Sequence, residues 1–378
     1  MKIIWLAHES NMSGANMCLL EYLSVLKDRG IQNYLVIPFG TGNLHEKATQ
    51  LNIPVKRIKF YSWAHPVQRP KEKYIGRIRK KIRNYFAVKQ MSSLIKDWQP
   101  DYVATNTITM VVGALAANKN NTKHIWFVHE FGEEDHGFSI AANFKKGAML
   151  MNLLSNKIVF NSVAVKDKYL DIVPNQKCFI VDNAVLISDV VVNEKENTGN
   201  FKLLLLGQLA PSKNHEEAIL AIDICKQCGV DCSLEIIGKA ENIDYKDSLV
   251  ELVANKKLTD SIHFLGPVEH PENLFSQYHA LLMCSHNEAF GRVTVEALKC
   301  GLPVIAANTG GSLGIIKDGI NGYFYKAGDP SSLAEKIMQL KQHYNQFDKQ
   351  GIAFNTKNRY NEKNTGDQLM KVFSTTNV

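Results

Sequence analysis

The chain has 378 residues, 45% hydrophobic and 21% charged, with a formal net charge of +7. That length predicts two domains or one large one, and the balance excludes a disordered or fibrous class. No apolar run reaches the ~18 residues of a spanning helix, and seven scattered cysteines predict reduced thiols.

The opening KIIWLAH reads as a buried strand whose apolar run stops at His8-Glu9, too short for a secretory signal. A cytoplasmic location is therefore expected. A helix should run from Ala15 to Arg29, closed by Gly30, with Ser13-Gly14-Ala15 opening it as an anion cradle. YLVIPF and PVKRIKF follow as strands. From Arg69 to Lys89 the chain carries nine Lys or Arg and one Glu, with Ile75, Ile78, Ile82, Tyr85 and Phe86 at helical spacing. Such a basic amphipathic helix suits either an anionic membrane surface or packing on its own domain. Nucleic acid is not the expected partner, because no binding module accompanies the patch. DYVATN and HIWFVHE read as strands around a helix near Met110 to Asn118, leaving His129 at a strand end. KIVFNS and CFIVDNAV complete the first half.

Residues 186–200 are polar and aperiodic, and are read as a linker between domains 1–185 and 201–354. The last stretch, about 355–378, is expected to form a helix that packs back on the first domain. Beyond the linker the alternation restarts. FKLLLLGQL ends toward Gln208 and Lys213, and a lysine there is a point charge suited to a diphosphate. LEIIG ends in Gly238-Lys239, and IHFLG in Gly266-Pro267-Val268. Glycine at these ends either lets the backbone approach a flat ring or simply turns the chain. Cys225, Cys228 and Cys232 lack a second pair of ligands and read as half-buried thiols at a helix end. Strand–helix alternation in both halves predicts an α/β chain with two nucleotide-binding-like domains facing a cleft, ligands lying at the carboxyl ends of the strands.

One stretch, SHNEAFGRVTVEALKCGLPVIAANTGG, places Glu288 and Glu296 in otherwise apolar, small or glycine-rich sequence. In a continuous helix the two would stand ~12 Å apart along the axis and ~80° apart around it, too far for an acid/base pair. Glu288 is expected on a loop and Glu296 in a short helix closed by Gly301 and Pro303, whose N-terminus makes an anion site. The implied ligand carries both hydroxyls and a phosphate. Gly40-Thr41-Gly42 lacks the third glycine of the dinucleotide fingerprint, which argues against a dehydrogenase.

The spacing Glu288-Ala-Phe-Gly-Arg-Val-Thr-Val-Glu296 resembles the E-x7-E region of retaining glycosyltransferases of family 4, which have the GT-B fold of two Rossmann-like domains. SGANMCLLEYLSVLKDRG, VHE, LLLLGQLAPSKN, LEIIGKA, IHFLGPV and IIKDGINGYFYKAGDPSSLAEKI extend the resemblance over most of the chain. It implies that Lys213 neutralises the donor diphosphate, Glu296 binds the ribose and Glu288 the transferred sugar. Backbone N–H groups of Phe290 and Gly291 would meet the sugar or phosphate, and Gly14 the phosphate. Gly238 to Ala240 and Gly266 to Val268, with Lys239, Pro267 and Val268 among them, would frame the base, and His129 would stand by the reacting sugar and acceptor. Glu288, Lys213 and His129 are the expected catalytic residues. Where the family usually has arginine this chain has Gln208, a charge that Lys239 or Arg292 could replace.

The expected reaction is transfer from a nucleotide sugar such as a UDP- or GDP-sugar to a saccharide or lipid-linked acceptor, in bacterial cell-surface polysaccharide or glycolipid assembly. No D-x-D triplet is present, so lysine and helix dipole are expected to stand in for a metal, with no cofactor. A lipid-linked acceptor would place the protein at the inner membrane face. A sugar-nucleotide epimerase or hydrolase on the same fold, or a non-catalytic scaffold subunit, are the competing readings.

Overall fold

The structure, a computed structural model, describes residues 1–67, 74–187, 192, 196 and 199–375. The chain divides into two compact units, Met1–Ala184 with Asn361–Val378, and Val185–Tyr360. Most of the polar stretch 186–200 and the start of the basic stretch, 69–73, lie outside the described residues.

Unit 1 contains the strands β1 (Lys2–Leu6), β2 (Gln32–Ile37), β3 (Val55–Arg57), β4 (His65–Pro66), β5 (Tyr102–Asn106), β6 (Lys123–Val128), β7 (Phe138–Ser139), β8 (Lys157–Phe160) and β9 (Cys178–Ile180). Seven of them form a parallel sheet in the order β3-β2-β1-β5-β6-β8-β9, and β4 and β7 make a separate antiparallel ladder. Ile3, Trp5, Leu35, Ala104 and Phe127 bury one face under the helix Gly14–Asp28. Ile4, Leu6 and Val103 bury the other, where Val112 of the helix Val112–Lys119 and Ala87, Met91 and Ile95 of the helix Tyr74–Trp98 pack. A parallel sheet needs cover on both faces, hence the near-continuous apolar strands that the sequence displays.

Unit 2 has a six-stranded parallel sheet of β10 (Phe201–Leu206), β11 (Cys232–Ile237), β12 (Ile262–Gly266), β13 (Ala280–Met283), β14 (Val304–Ala307) and β15 (Gly322–Tyr325). Its order is β12-β11-β10-β13-β14-β15. In both sheets the order reverses beside the first strand, at β1/β5 in unit 1 and β10/β13 in unit 2. Loops leaving the carboxyl ends of such a pair diverge and open a crevice.

The C-terminal stretch divides between the units. Residues 355–359 belong to the helix Lys349–Arg359, on the core of unit 2 through Ile352. The helix Glu362–Ser374, capped by Asn361 accepting from the Asn364 N–H at 2.8 Å, belongs to unit 1. Leu369, Val372 and Phe373 enter that unit's core. Buried Lys157 donates to the Val372 carbonyl and, at 2.6 Å, to that of Thr375, while Arg29 pairs with Asp367 at 3.0 Å. The last helix thus completes the first unit with apolar contacts and donors to its otherwise open carbonyl end. Leu369→Ala, at a fully buried position, is expected to destabilise unit 1 by about 2–5 kcal/mol. A lowered urea midpoint would register this loss, and an unchanged midpoint would show the helix to be dispensable.

Candidate functional site

In unit 2 the two loops at the β10/β13 switch point carry the expected site residues Lys213 and Glu288. After β10 the chain makes a 3-10 turn over Pro211–Lys213. Asn214 follows in the left-handed region (φ 51°), and its side chain donates to the Cys284 carbonyl at 3.1 Å, tying this loop to the end of β13. Lys213 Nζ lies 2.7 Å from Glu288 Oε2, with 32% and 20% of the two side chains exposed. Partial burial keeps the pair from full solvent screening.

Glu288 is on the loop and Glu296 in the helix Arg292–Lys299, whose N-cap is Gly291 at φ +94°, a conformation that side-chain-bearing residues resist. One turn apart, Arg292 Nε and Glu296 Oε1 lie 3.3 Å from each other, each side chain 16% exposed. The TGG segment after β14 braces this corner: Gly311 N–H donates to the Glu288 carbonyl at 2.6 Å, and a Cβ on Gly310 would come within 2.5 Å of the same oxygen. Gly207, Lys213, Ser285, Glu288 and Arg292 line one pocket. Two cations and two carboxylates therefore stand at one sheet end, each carboxylate beside a cation.

The other expected donor residues are spread more widely. Gln208, Lys239, Pro267 and Val268 are exposed around the carboxyl ends of β10, β11 and β12. Gly238 is needed by the chain itself: a Cβ there would meet the Gly207 carbonyl oxygen at 1.7 Å, and its N–H donates to the Gly266 carbonyl at 2.9 Å. This close approach is backbone against backbone, which strand-end spacing alone does not distinguish from room left for a ring. Phe290 turns its side chain inward, its ring centroid 5.9 Å from that of Tyr360. Of the two substitutes for the missing arginine, Arg292 lines the pocket and Lys239 does not.

A contact the sequence did not announce supports the Glu288 loop from behind. Buried Glu217, in the first turn of the helix His215–Gln227, accepts at Oε2 from His286 Nε2 at 2.8 Å. Cys284, at the root of the loop, is buried, which pushes its thiol up to about 12 and leaves it un-ionised. All seven cysteines are free, and no cluster of three metal-ligating side chains occurs among the described residues.

In unit 1, His129 follows β6 and Asn106 ends β5. Asn106 donates through Nδ2 to the Ala15 carbonyl at 3.0 Å, which fixes its amide so that Oδ1 accepts from His129 Nε2 at 2.7 Å. The proton therefore sits on Nε2, and buried Nδ1 keeps a lone pair with no partner among the described residues. Burial first, and His8 second, hold this imidazole down at about 3, so it is neutral at ordinary pH. Asn161, 5% exposed at the end of β8, donates to the His129 carbonyl at 3.0 Å and leaves its own Oδ1 unpartnered. Glu130 accepts from the Ile108 N–H at 2.8 Å and the His129 N–H at 3.0 Å; burial raises its pKa against the first of these bonds. Gly14 is exposed and opens its helix beside Ala15, so Asn106 links that helix start to His129.

Known proteins resemble the chain in sequence and fold. Residues 12–188 match the Glycosyltransferase Family 4 model, and residues 189–354 the model for Glycosyl transferases group 1. An uncharacterized glycosyltransferase of Methanocaldococcus jannaschii is 30% identical over 240 residues, 61% of each chain. An O-antigen biosynthesis glycosyltransferase of Escherichia coli is 30% identical over 151 residues, 38% of this chain and 40% of its own. The matched regions thus span less than two thirds of these relatives. The crystal structure of Anabaena Alr3699/HepE in complex with UDP superposes with a TM-score of 0.78 at 20% identity, over 99% of this chain and 100% of that one. The fold is GT-B. Laid end to end, the two family models cover residues 12–354, and the chain belongs to the GT-B glycosyltransferases of group 1 and family 4.

Proposed function

We propose that the protein moves a sugar from a nucleotide diphosphate to an acceptor hydroxyl with retention of configuration. The observation that carries this reading is the unit 2 pocket lined by Lys213, Glu288 and Arg292, with Glu296 one helical turn beyond Arg292 and paired with it. A donor diphosphate brings negative charge, which Lys213 and Arg292 take up in charge-assisted hydrogen bonds. The N–H groups of Phe290 and Gly291, at the helix start, add to that attraction. Each carboxylate then exchanges its cation for hydroxyl donors, Glu288 on the sugar and Glu296 on the ribose. Arg292 supplies the charge that Gln208 lacks. Gly238, Lys239, Pro267 and Val268 frame the base. On unit 1, Gly14 offers its helix start to a phosphate, and His129 stands by the reacting sugar and acceptor.

As the glycosidic bond breaks, negative charge grows on the leaving phosphate and positive charge on the sugar. Fixed cations stabilise the first without reorganising. The acceptor oxygen attacks from the leaving-group face and its proton passes to the departing phosphate, which retains configuration. Two protein cations do the work of a divalent metal, so turnover is expected to survive EDTA. The Escherichia coli relative and its O-antigen role support a saccharide or lipid-linked acceptor in surface polysaccharide assembly.

Lys213→Ala and Glu288→Ala are each expected to lower kcat/KM by about 10²–10³ while the protein stays folded. Rates like wild type in both would remove the assignment. Arg292→Gln is expected to weaken donor binding about tenfold to a hundredfold, the worth of one charged hydrogen bond, and Gln208→Arg in that background to restore part of it. Calorimetry of nucleotide-sugar binding measures both, and an Arg292→Gln protein with unaltered affinity would show the charge to be supplied elsewhere. His129, held at about 3, should contribute no limb to the pH–rate profile near the ordinary imidazole range. Because the unfolded imidazole ionises near ~6.5, the same shift stabilises the fold above that pH and is lost as pH falls toward 3. An NMR titration of His129 centred near ~6.5 would contradict both statements.

A further inference from the structure

The helix Tyr74–Trp98 has two apolar faces. At about 100° per residue, Ala87, Met91 and Ile95 fall on one side, and these are buried against the unit 1 sheet. Ile78, Ile82, Tyr85 and Phe86 fall within an arc of about 100° on the opposite side. They are 40%, 51%, 56% and 54% exposed, so these four side chains are left largely uncovered by the described residues. A ridge of four large apolar side chains at helical spacing is not the scattered exposure of an ordinary surface.

Charge surrounds the ridge. Arg79 and Lys81 lie on its two flanks, both exposed, and Lys89 continues it, its Nζ 4.7 Å from the Tyr85 ring centroid. Between Tyr74 and Lys96 the helix contains no acidic residue. Tyr61 stacks under Arg83, 5.3 Å from ring centroid to guanidinium carbon, and Asn84 holds the Tyr61 backbone at 2.8 and 2.9 Å. The helix that carries the ridge is therefore tied to the segment at Tyr61.

We infer that Ile78, Ile82, Tyr85 and Phe86 insert into the headgroup region of an anionic lipid bilayer, with Arg79, Lys81 and Lys89 at the level of the lipid phosphates. The helix lies along the membrane plane and does not cross it; no helix among the described residues is long and apolar enough to span one. Lysine and arginine stems bury along apolar surface while their charges stay at the interface, and tyrosine is suited to the same boundary. A second copy of the chain fits the ridge poorly, since joining two such faces would bring like charges together. The surface goes beyond the transferase reading and needs no part of the donor pocket.

Vesicle sedimentation of the full chain tests it. The protein should pellet with equimolar phosphatidylglycerol and phosphatidylcholine vesicles, should not pellet with phosphatidylcholine alone, and should be released by raised salt. Ile82→Glu with Phe86→Glu should lower the bound fraction about tenfold or more, and Arg79→Glu with Lys81→Glu should abolish the salt-sensitive part. All four side chains are exposed, so thermal stability and nucleotide-sugar affinity should stay unchanged in both variants. Wild-type protein that remains in the supernatant, or apolar-to-Glu variants that bind as well as wild type, would overturn the inference. So would a wild-type dimer that the Ile82→Glu and Phe86→Glu changes break while no vesicle binding is seen. Loss of donor affinity in Lys213→Ala with vesicle binding intact would keep this question separate from that of the reaction.

Discussion

Lys213 with Glu288, and Arg292 with Glu296, set the terms for the rest of unit 2. Charges in a partly buried pocket are costly unless compensated, and the chain compensates them with each other. A ligand that enters must then replace two partners at once. An anion alone would strand the carboxylates, and a neutral sugar alone would strand the cations. The proposed donor, which joins a diphosphate to hydroxyl-bearing rings, would satisfy all four groups.

The fold places those groups by topology. β10 lies between β11 and β13, so the loops after β10 and β13 part company, and Lys213 and Glu288, 75 residues apart, meet in the opening. Asn214 ties the loop after β10 to the end of β13, and Gly311, from the segment after β14, donates to the backbone of the Glu288 loop. The Glu217–His286 bond adds a brace from the helix behind. In unit 1 the same logic operates at β1/β5: Asn106, at the end of β5, orients His129 and steadies the helix start at Ala15. A neutral, fixed imidazole with an open lone pair is a hydrogen-bond acceptor, and its depressed pKa makes it a poor reservoir of protons. That fits a reaction in which the phosphate takes the proton.

Much of this was legible in the sequence. Strand–helix alternation marked two parallel α/β units, and Gly301 and Pro303 ended the glutamate helix where the residue pattern required. What stayed hidden depends on distances along the chain that no local pattern encodes. The Lys213–Glu288 pair, the Asn106 clamp on His129 and the Glu217 brace each join residues more than 20 positions apart. For Gly238 the sequence left approach to a ring and a simple turn both open, and the reason it must be glycine is the Gly207 carbonyl. The basic helix shows the same limit from the other side. Its periodicity announced an apolar stripe, but only the packed structure reveals that a different face, Ala87, Met91 and Ile95, makes the contact with the sheet.

The most direct measurement is a crystal structure of the chain with an intact nucleotide sugar. The account predicts diphosphate oxygens within ~3 Å of Lys213 Nζ and the Arg292 guanidinium, with Glu288 swung from the lysine onto sugar hydroxyls. A bound donor that leaves both ion pairs closed, its diphosphate held by other groups, would contradict it.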